Sequence, residues 1–215
     1  MEQLVNSIPT TPFTRNLMKK IDRKHFVIHK ARAYQDNPLP LMSKQTISAP
    51  HMHARAIEYL EKVLKPGKSI LDIGSGSGYL TACYAEAVKV YHLDRTKRGT
   101  VVGIEVFPEL VHYSTNVIQN HFKHLMKYKK NFKLIHGDGK KGYPKNSNIE
   151  KYDGIHIGAA CDFIPQKLLA QLRKGGIMVI PLKINGKLFF TIINKDRHGN
   201  LHMTIKESVR YVPLL

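Results

Sequence analysis

The stretch Leu71-Asp72-Ile73-Gly74-Ser75-Gly76-Ser77-Gly78 decides the fold. Ile70, Leu71 and Ile73 predict a short buried parallel strand, and three glycines at every second position follow it. Glycine there lets the backbone approach a ligand and turn sharply into the next helix. Ligands of open α/β sheets bind outside the carboxyl ends of the strands, so this loop predicts one wall of a site. The spacing is G-x-G-x-G. A dinucleotide fingerprint would need a small residue where Tyr79 stands, and no complete G-x-x-x-x-G-K-[ST] sequence is present to grip a phosphate. A cofactor without phosphates fits better.

Working outward, the chain alternates short apolar runs with helical stretches. The strand candidates are Ser69–Ile73, Val101–Val106, Phe132–His136, Gly154–Ile157 and Gly176–Pro181, with helices over Leu80–Val90, Pro108–Leu125 and Gln166–Leu172. That order predicts a mostly parallel sheet flanked by helices. Lys187–Asn194 and His202–Val209 follow with only a turn-like segment between them, and predict a closing antiparallel hairpin. Upstream, the apolar stripe Ala54, Ile57, Leu60, Val63 and Leu64 predicts a helix from about Pro50 to Leu64, stopped by Lys65-Pro66-Gly67. Residues 1–44 carry four prolines and a helical candidate over Phe13–Phe26, and are expected as an N-terminal appendage to the main domain, 45–215. Tyr91–Gly99 reads as an exposed loop.

Composition narrows the class. The 215 residues suit one domain, and 42% hydrophobic with 23% charged residues is ordinary for a globular protein. No apolar run approaches the ~20 residues of a membrane span, and the N-terminus has no basic start or apolar core of a secretory signal. Cys83 and Cys161 are too few for a disulfide framework or a four-ligand zinc site, so they are expected as packed thiols and the cytosol as the compartment. His51 and His53, two apart, do not share a helix face, and no metal site is expected. The net charge of +18 is the compositional oddity, densest between Lys123 and Lys133. No stacked aromatics interleave those lysines as a single-strand binding platform requires, so they read as a solvated helix end and loop.

Two further strand ends carry acids beside glycine or the glycine loop. Glu105 closes Val101–Val106, placed to accept both hydroxyls of an adenosine ribose. Gly137-Asp138-Gly139 follows the third strand, where Asp138 could accept an adenine amine and Gly139 allow close ring approach. Asp72, inside the loop strand, is read as orienting backbone and cofactor. Gly74, Gly76, Gly78, Asp72, Glu105, Asp138 and Gly139 together predict a Rossmann-like class I S-adenosylmethionine-dependent methyltransferase fold.

A longer string is more specific than the loop. Gln45-Thr46-Ile47-Ser48-Ala49-Pro50-His51-Met52-His53-Ala54 resembles protein-L-isoaspartate (D-aspartate) O-methyltransferases. The resemblance extends through Asp22-Arg23, Gly137-Asp138-Gly139, Gly142-Tyr143, Tyr152 to Ala160, Leu172 to Gly176 and Tyr211-Val212-Pro213-Leu214. It implies repair of aged proteins by methylation of the α-carboxyl of L-isoaspartyl and, less efficiently, D-aspartyl residues, followed by succinimide formation and return of some normal aspartate. It also implies that Ser48 is the active-site residue beside the acceptor. Thr46, Ile47 and Ser48 line the cofactor and His53 approaches its amino-acid end. By the same resemblance, Ala49, Ile157, Gly158, Ala159 and Val212 belong to the peptide cleft, and the protein is a monomer.

The chemistry is consistent with that division. A carboxylate is already ionised at neutral pH, with an ordinary pKa of about 4, and needs no general base. The work left to the protein is in-line positioning and exclusion of water. Ser48 is therefore read as a hydrogen-bond donor to the carboxylate, with a helix N-cap at Pro50 as its structural alternative. Three departures from the family pattern stand out: Leu215 where a Thr is usual, Ser7-Ile8 for a Gly-Ile pair, and a longer 91–99 loop. Competing readings are a class I methyltransferase acting on RNA, and a nucleic-acid-binding module without activity. No Asn-Pro-Pro-Tyr-like motif supports the first, and cofactor positions on three strands oppose the second.

Overall fold

The computed structural model describes residues 1–144 and 151–215. The chain opens with two short helices, α1 (Glu2–Ser7) and α2 (Pro12–Lys20). The second starts where Thr11 accepts the Thr14 N–H at 3.2 Å and Pro12 fills the first turn. The helix expected over 13–26 stops at Lys20, because the Asp22 carboxylate accepts the Lys24 N–H at 2.9 Å and starts a separate 3-10 turn, Arg23–Phe26. A two-stranded ribbon of β1 (Leu39–Pro40) and β2 (Thr46–Ile47) then leads into α3 (Pro50–Leu60). The last turn expected of that helix, 61–63, tightens to 3-10 geometry.

The alternating half follows the expected order. It runs β3 (Ser69–Ile73), α4 (Tyr79–Val88), β4 (Thr100–Glu105), α5 (Pro108–His121), β5 (Phe132–His136), β6 (Tyr152–Ile157), α6 (Gln166–Gln171), β7 (Leu172–Ile184), β8 (Lys187–Lys195) and β9 (Leu201–Ser208). One seven-stranded sheet has the order β5-β4-β3-β6-β7-β8-β9, parallel from β5 to β7 and antiparallel from β7 to β9. The strand expected over 176–181 is the middle of the 13-residue β7, which joins β8 through Asn185-Gly186, both at positive φ (49° and 79°). That pair is the two-residue hairpin signature, and it extends the antiparallel end by one more pairing than the hairpin expected. The segment 91–99 forms a loop with a single 3-10 turn, and Leu93 is exposed.

Strand parity divides the core. Ile70, Val101, Ile177 and Val179 point to the face covered by α1 to α5, and side chains from Leu4 to Leu41 share that cluster. Leu71, Ile73, Val102, Ile104, Ile155, Ile157, Met178 and Ile180 point to the other face, under α6. Between its apolar neighbours β3 therefore turns Asp72 toward α4, and β6 turns His156 the same way. Chain order reverses at β3, which lies between β4 and β6. The crevice at its carboxyl end is the topological switch point, where the glycine loop sits.

Candidate active site

The glycine loop leaves β3 with Gly74, Gly76 and Gly78 at φ of 70°, 53° and 82°, a region in which only glycine is unstrained. Gly74 and Gly76 line two adjoining cavities at the sheet edge. Gly78 lines neither of them. A Cβ on it would lie 2.9 Å from Ser114 Cβ, so it serves the packing of α4 on α5.

The first cavity has Ile73, Ile104, Glu105, Phe107, Leu110, Gly137 and Gly139 among its walls. Glu105 is buried at the end of β4, and its carboxylate accepts the N–H groups of Gly76 at 2.8 Å, Val106 at 2.9 Å and Phe107 at 3.2 Å. Two carboxylate oxygens have about four acceptor directions, so one remains for a ligand hydroxyl. Gly139 leaves no room for a side chain, since a Cβ would lie 2.4 Å from Ile73 Cγ2. Asp138 is turned away from the cavity. Its carboxylate accepts the Lys140 N–H at 3.0 Å and pairs with Lys141 at 3.1 Å, because its 3-10 turn offers nearer donors than the cavity does. Val212, Pro213, Leu214 and Leu215 close the far wall, held where Ala160 N–H donates to the Val212 carbonyl at 2.7 Å and Leu214 N–H to the Ala160 carbonyl at 2.9 Å. Leu215 lies on this wall without the hydroxyl that the resemblance would place there.

The second cavity is the more polar, with Ile47, Ser48, His53, Asp72, Ser75, Ser77, Tyr79 and His156 among its walls. His53 Nδ1 lies 3.1 Å from Nη1 of Arg23, which is fully buried. Burial, then the Arg23 charge, holds the His53 ring well below the usual histidine range, so it is neutral. Burial likewise lowers Arg23 to about 10, leaving it charged at neutral pH. Asp72 is 1% exposed; it accepts a hydrogen bond from Thr81 Oγ1 and lies 2.8 Å from His156 Nδ1.

An open cleft of ≈ 530 Å³ adjoins both cavities, walled by Pro38, Ala49, His51, Met52, Val209, Arg210 and Val212 among others. Thr46, Ser48, Gly158 and Tyr211 border the polar cavity and the cleft together. Ser48 neighbours the Tyr211 hydroxyl, whose pKa burial raises above the usual phenol range. Ala49 is the N-cap of α3, and Asp36 rather than Ser48 accepts a first-turn N–H, that of His51 at 2.9 Å, so the capping alternative for Ser48 falls away. Ala159 borders the first cavity rather than the cleft. Ile157 borders none of the three, since strand parity sends it to the opposite core face.

The arrangement suits S-adenosylmethionine. It joins a narrow glycine-walled slot beside a carboxylate to a polar pocket holding orphaned buried polar atoms, His156 Nε2 among them. The sequence matches the family Protein-L-isoaspartate(D-aspartate) O-methyltransferase over residues 2–215. The chain belongs to this family. Arabidopsis thaliana protein-L-isoaspartate O-methyltransferase 1 is 39% identical over 217 residues, covering 100% of this chain and 89% of the relative. Protein-L-isoaspartate O-methyltransferase 2 of the same plant is 43% identical over 200 residues, or 92% of this chain, but the match spans only 60% of that relative. A Plasmodium falciparum protein described as a protein-L-isoaspartate O-methyltransferase, in complex with S-adenosyl-L-homocysteine, superposes with a TM-score of 0.90 at 30% identity, covering 100% of this chain and 97% of that one. As a protein-L-isoaspartate O-methyltransferase, the chain is an S-adenosylmethionine-dependent enzyme.

Several wall residues escaped sequence reading. Phe107 and Leu110 open α5, and Gln45 precedes the TIS string; each lines the first cavity. Their signal was adjacency to a strand end or to a recognised motif. Arg23 entered only through the Asp22-Arg23 resemblance, and nothing near it in the chain pointed to His53, 30 residues away.

Proposed function

We propose that the protein repairs aged polypeptides by methylating the α-carboxyl of L-isoaspartyl and, less efficiently, D-aspartyl residues, with Ser48 at the point of transfer. The observation that carries this reading is the position of Ser48 between a buried cavity suited to the cofactor and an open cleft suited to a peptide. Bound S-adenosylmethionine supplies an electrophilic methyl group on a sulfonium. The chain's part is to hold the acceptor in line and dry. Ser48 donates its hydroxyl proton in a hydrogen bond to one carboxylate oxygen while the other attacks, and Tyr211 orients that hydroxyl. Neither residue need take up a proton, since the acceptor arrives ionised.

Glu105 and Gly139 hold the nucleoside part, with Gly74 and Gly76 approaching it through their backbone. Thr46, Ile47 and His53 serve its amino-acid part. Ala49, Gly158 and Val212 border the cleft and are assigned to the peptide. Among the described residues no helix is long and apolar enough to cross a membrane, and both thiols are free and buried. By the family resemblance the protein is read as a cytosolic monomer whose partners are damaged proteins rather than nucleic acid.

The test is Ser48→Ala, assayed on an isoaspartyl peptide and its normal aspartyl counterpart. Turnover on the isoaspartyl peptide should fall about tenfold or more, the scale of one hydrogen bond that positions a charged acceptor, while calorimetry finds S-adenosylhomocysteine affinity unchanged. Wild-type turnover in the variant removes the assignment.

A further inference from the structure

Two histidines face the polar cavity, and each has a buried fixed charge behind it. Arg23 meets His53 at Nδ1. A guanidinium has donors and no acceptor, so His53 Nδ1 must accept and the ring proton sits on Nε2. Asp72 meets His156, also at Nδ1. An ionised carboxylate only accepts, so His156 Nδ1 carries the proton and Nε2 presents a lone pair. That Nε2 is buried and has no partner among the described residues, and a second proton there would be a buried donor with nothing to receive it.

The charges themselves are incompletely matched. Arg23 is fully buried with Nε and Nη2 unpartnered, and Asp36, the acid whose field reaches it, is engaged with His51. Asp72 has hydrogen-bonding partners but, among the described residues, no fixed cation in contact with it. A zwitterion laid across the cavity, carboxylate toward His53 and ammonium toward His156, would answer both.

We propose that Arg23 and Asp72 are positioning residues that hold His53 and His156 in opposite tautomers, so that the cavity offers an N–H donor to the α-carboxylate and a lone pair to the α-ammonium of the cofactor's amino-acid end. This rests on the cofactor reading of the cavity and adds how that cavity tells one end of the zwitterion from the other.

Long-range proton–nitrogen NMR on the labelled full chain reads both tautomers, with and without S-adenosylhomocysteine. The expected result is a proton on Nε2 of His53 and on Nδ1 of His156 in both states. Calorimetry then compares S-adenosylhomocysteine with an analogue lacking the carboxylate and one lacking the amine. Arg23→Met should weaken S-adenosylhomocysteine about tenfold or more and leave the decarboxylated analogue unaffected, the loss expected for one hydrogen bond to a charged group. Arg23→Lys, which keeps donor and charge, should recover most of it. Asp72→Asn should weaken every ligand that carries the amine and spare the one that lacks it.

A reversed tautomer, a doubly protonated His156, or a loss equal across the three ligands overturns the proposal. The wild-type spectra and the Lys variant decide the matter even if Arg23→Met does not fold. Failure of the wild type to bind S-adenosylhomocysteine would refute the cofactor reading itself. Wrong tautomers in a chain that binds it would refute this inference alone.

Discussion

Burying a neutral histidine ties stability to pH, and His53 allows the size of that link to be worked out. Its pKa in the fold lies well below the usual value of 6.5, through burial and then the Arg23 charge. In the unfolded chain the ring takes up a proton as the pH falls through about 6.5. The stabilisation from the neutral ring is therefore fully present above that pH and is lost as the pH falls toward the folded value. Between about pH 7.5 and 5.5, one such group removes about 1.4 kcal/mol from the unfolding free energy. His25 acts in the same direction, lowered by burial and by His121, so the wild-type slope alone is not diagnostic. The control is His53→Gln, whose amide oxygen can still accept from Arg23 but does not titrate. Urea denaturation at both pH values, with a constant m-value, should find the wild type losing about 1.4 kcal/mol more than the variant. Parallel losses in the two proteins would refute the placement of a neutral His53 against Arg23.

Three further outcomes follow from particular contacts. Glu105→Ala frees the Gly76 N–H and removes a ligand acceptor from the slot; S-adenosylhomocysteine affinity should drop about tenfold by calorimetry. Gly78→Ala forces a side chain into φ 82° and against Ser114, and should cost about 1–2 kcal/mol in urea melts, more than an alanine at an ordinary loop position. Asp153 accepts from Lys68 Nζ at 3.0 Å, the Ser69 N–H at 2.9 Å and Arg173 Nη1 at 2.9 Å, linking the start of β3 to β6 and β7. Asp153→Ala should cost about 2 kcal/mol with ligand affinity retained, since the cluster lies at the opposite strand ends from the site.

Much of this protein was legible in one dimension because its information is local. A strand that ends in alternating glycines is a ligand-approach turn whatever surrounds it, and regular alternation of apolar runs with helical stretches implies a parallel sheet. The TISAPHM string, Thr46 to Met52, needed only recognition. Boundaries were less legible, as where Asp22 divided an expected helix by capping a turn of its own.

The placements that depart from expectation at the site share a cause. Gly78 belongs to the loop by spacing but to the α4–α5 contact by position, and Asp138 found nearer donors in its own turn. Ile157 sits between two residues that turn toward the site's face of the sheet, and a period of two sends it to the other. Sequence by itself determined the alternation of strands and helices, the cofactor class and the family, since each is written in contiguous residues. Only the tertiary structure decided that Arg23 stands behind His53, 30 positions on, and that Asp72 stands behind His156, 84 positions on. Those pairings arise from strand parity and helix packing, and a hydrogen bond between distant residues leaves no mark on either one's neighbours in the chain.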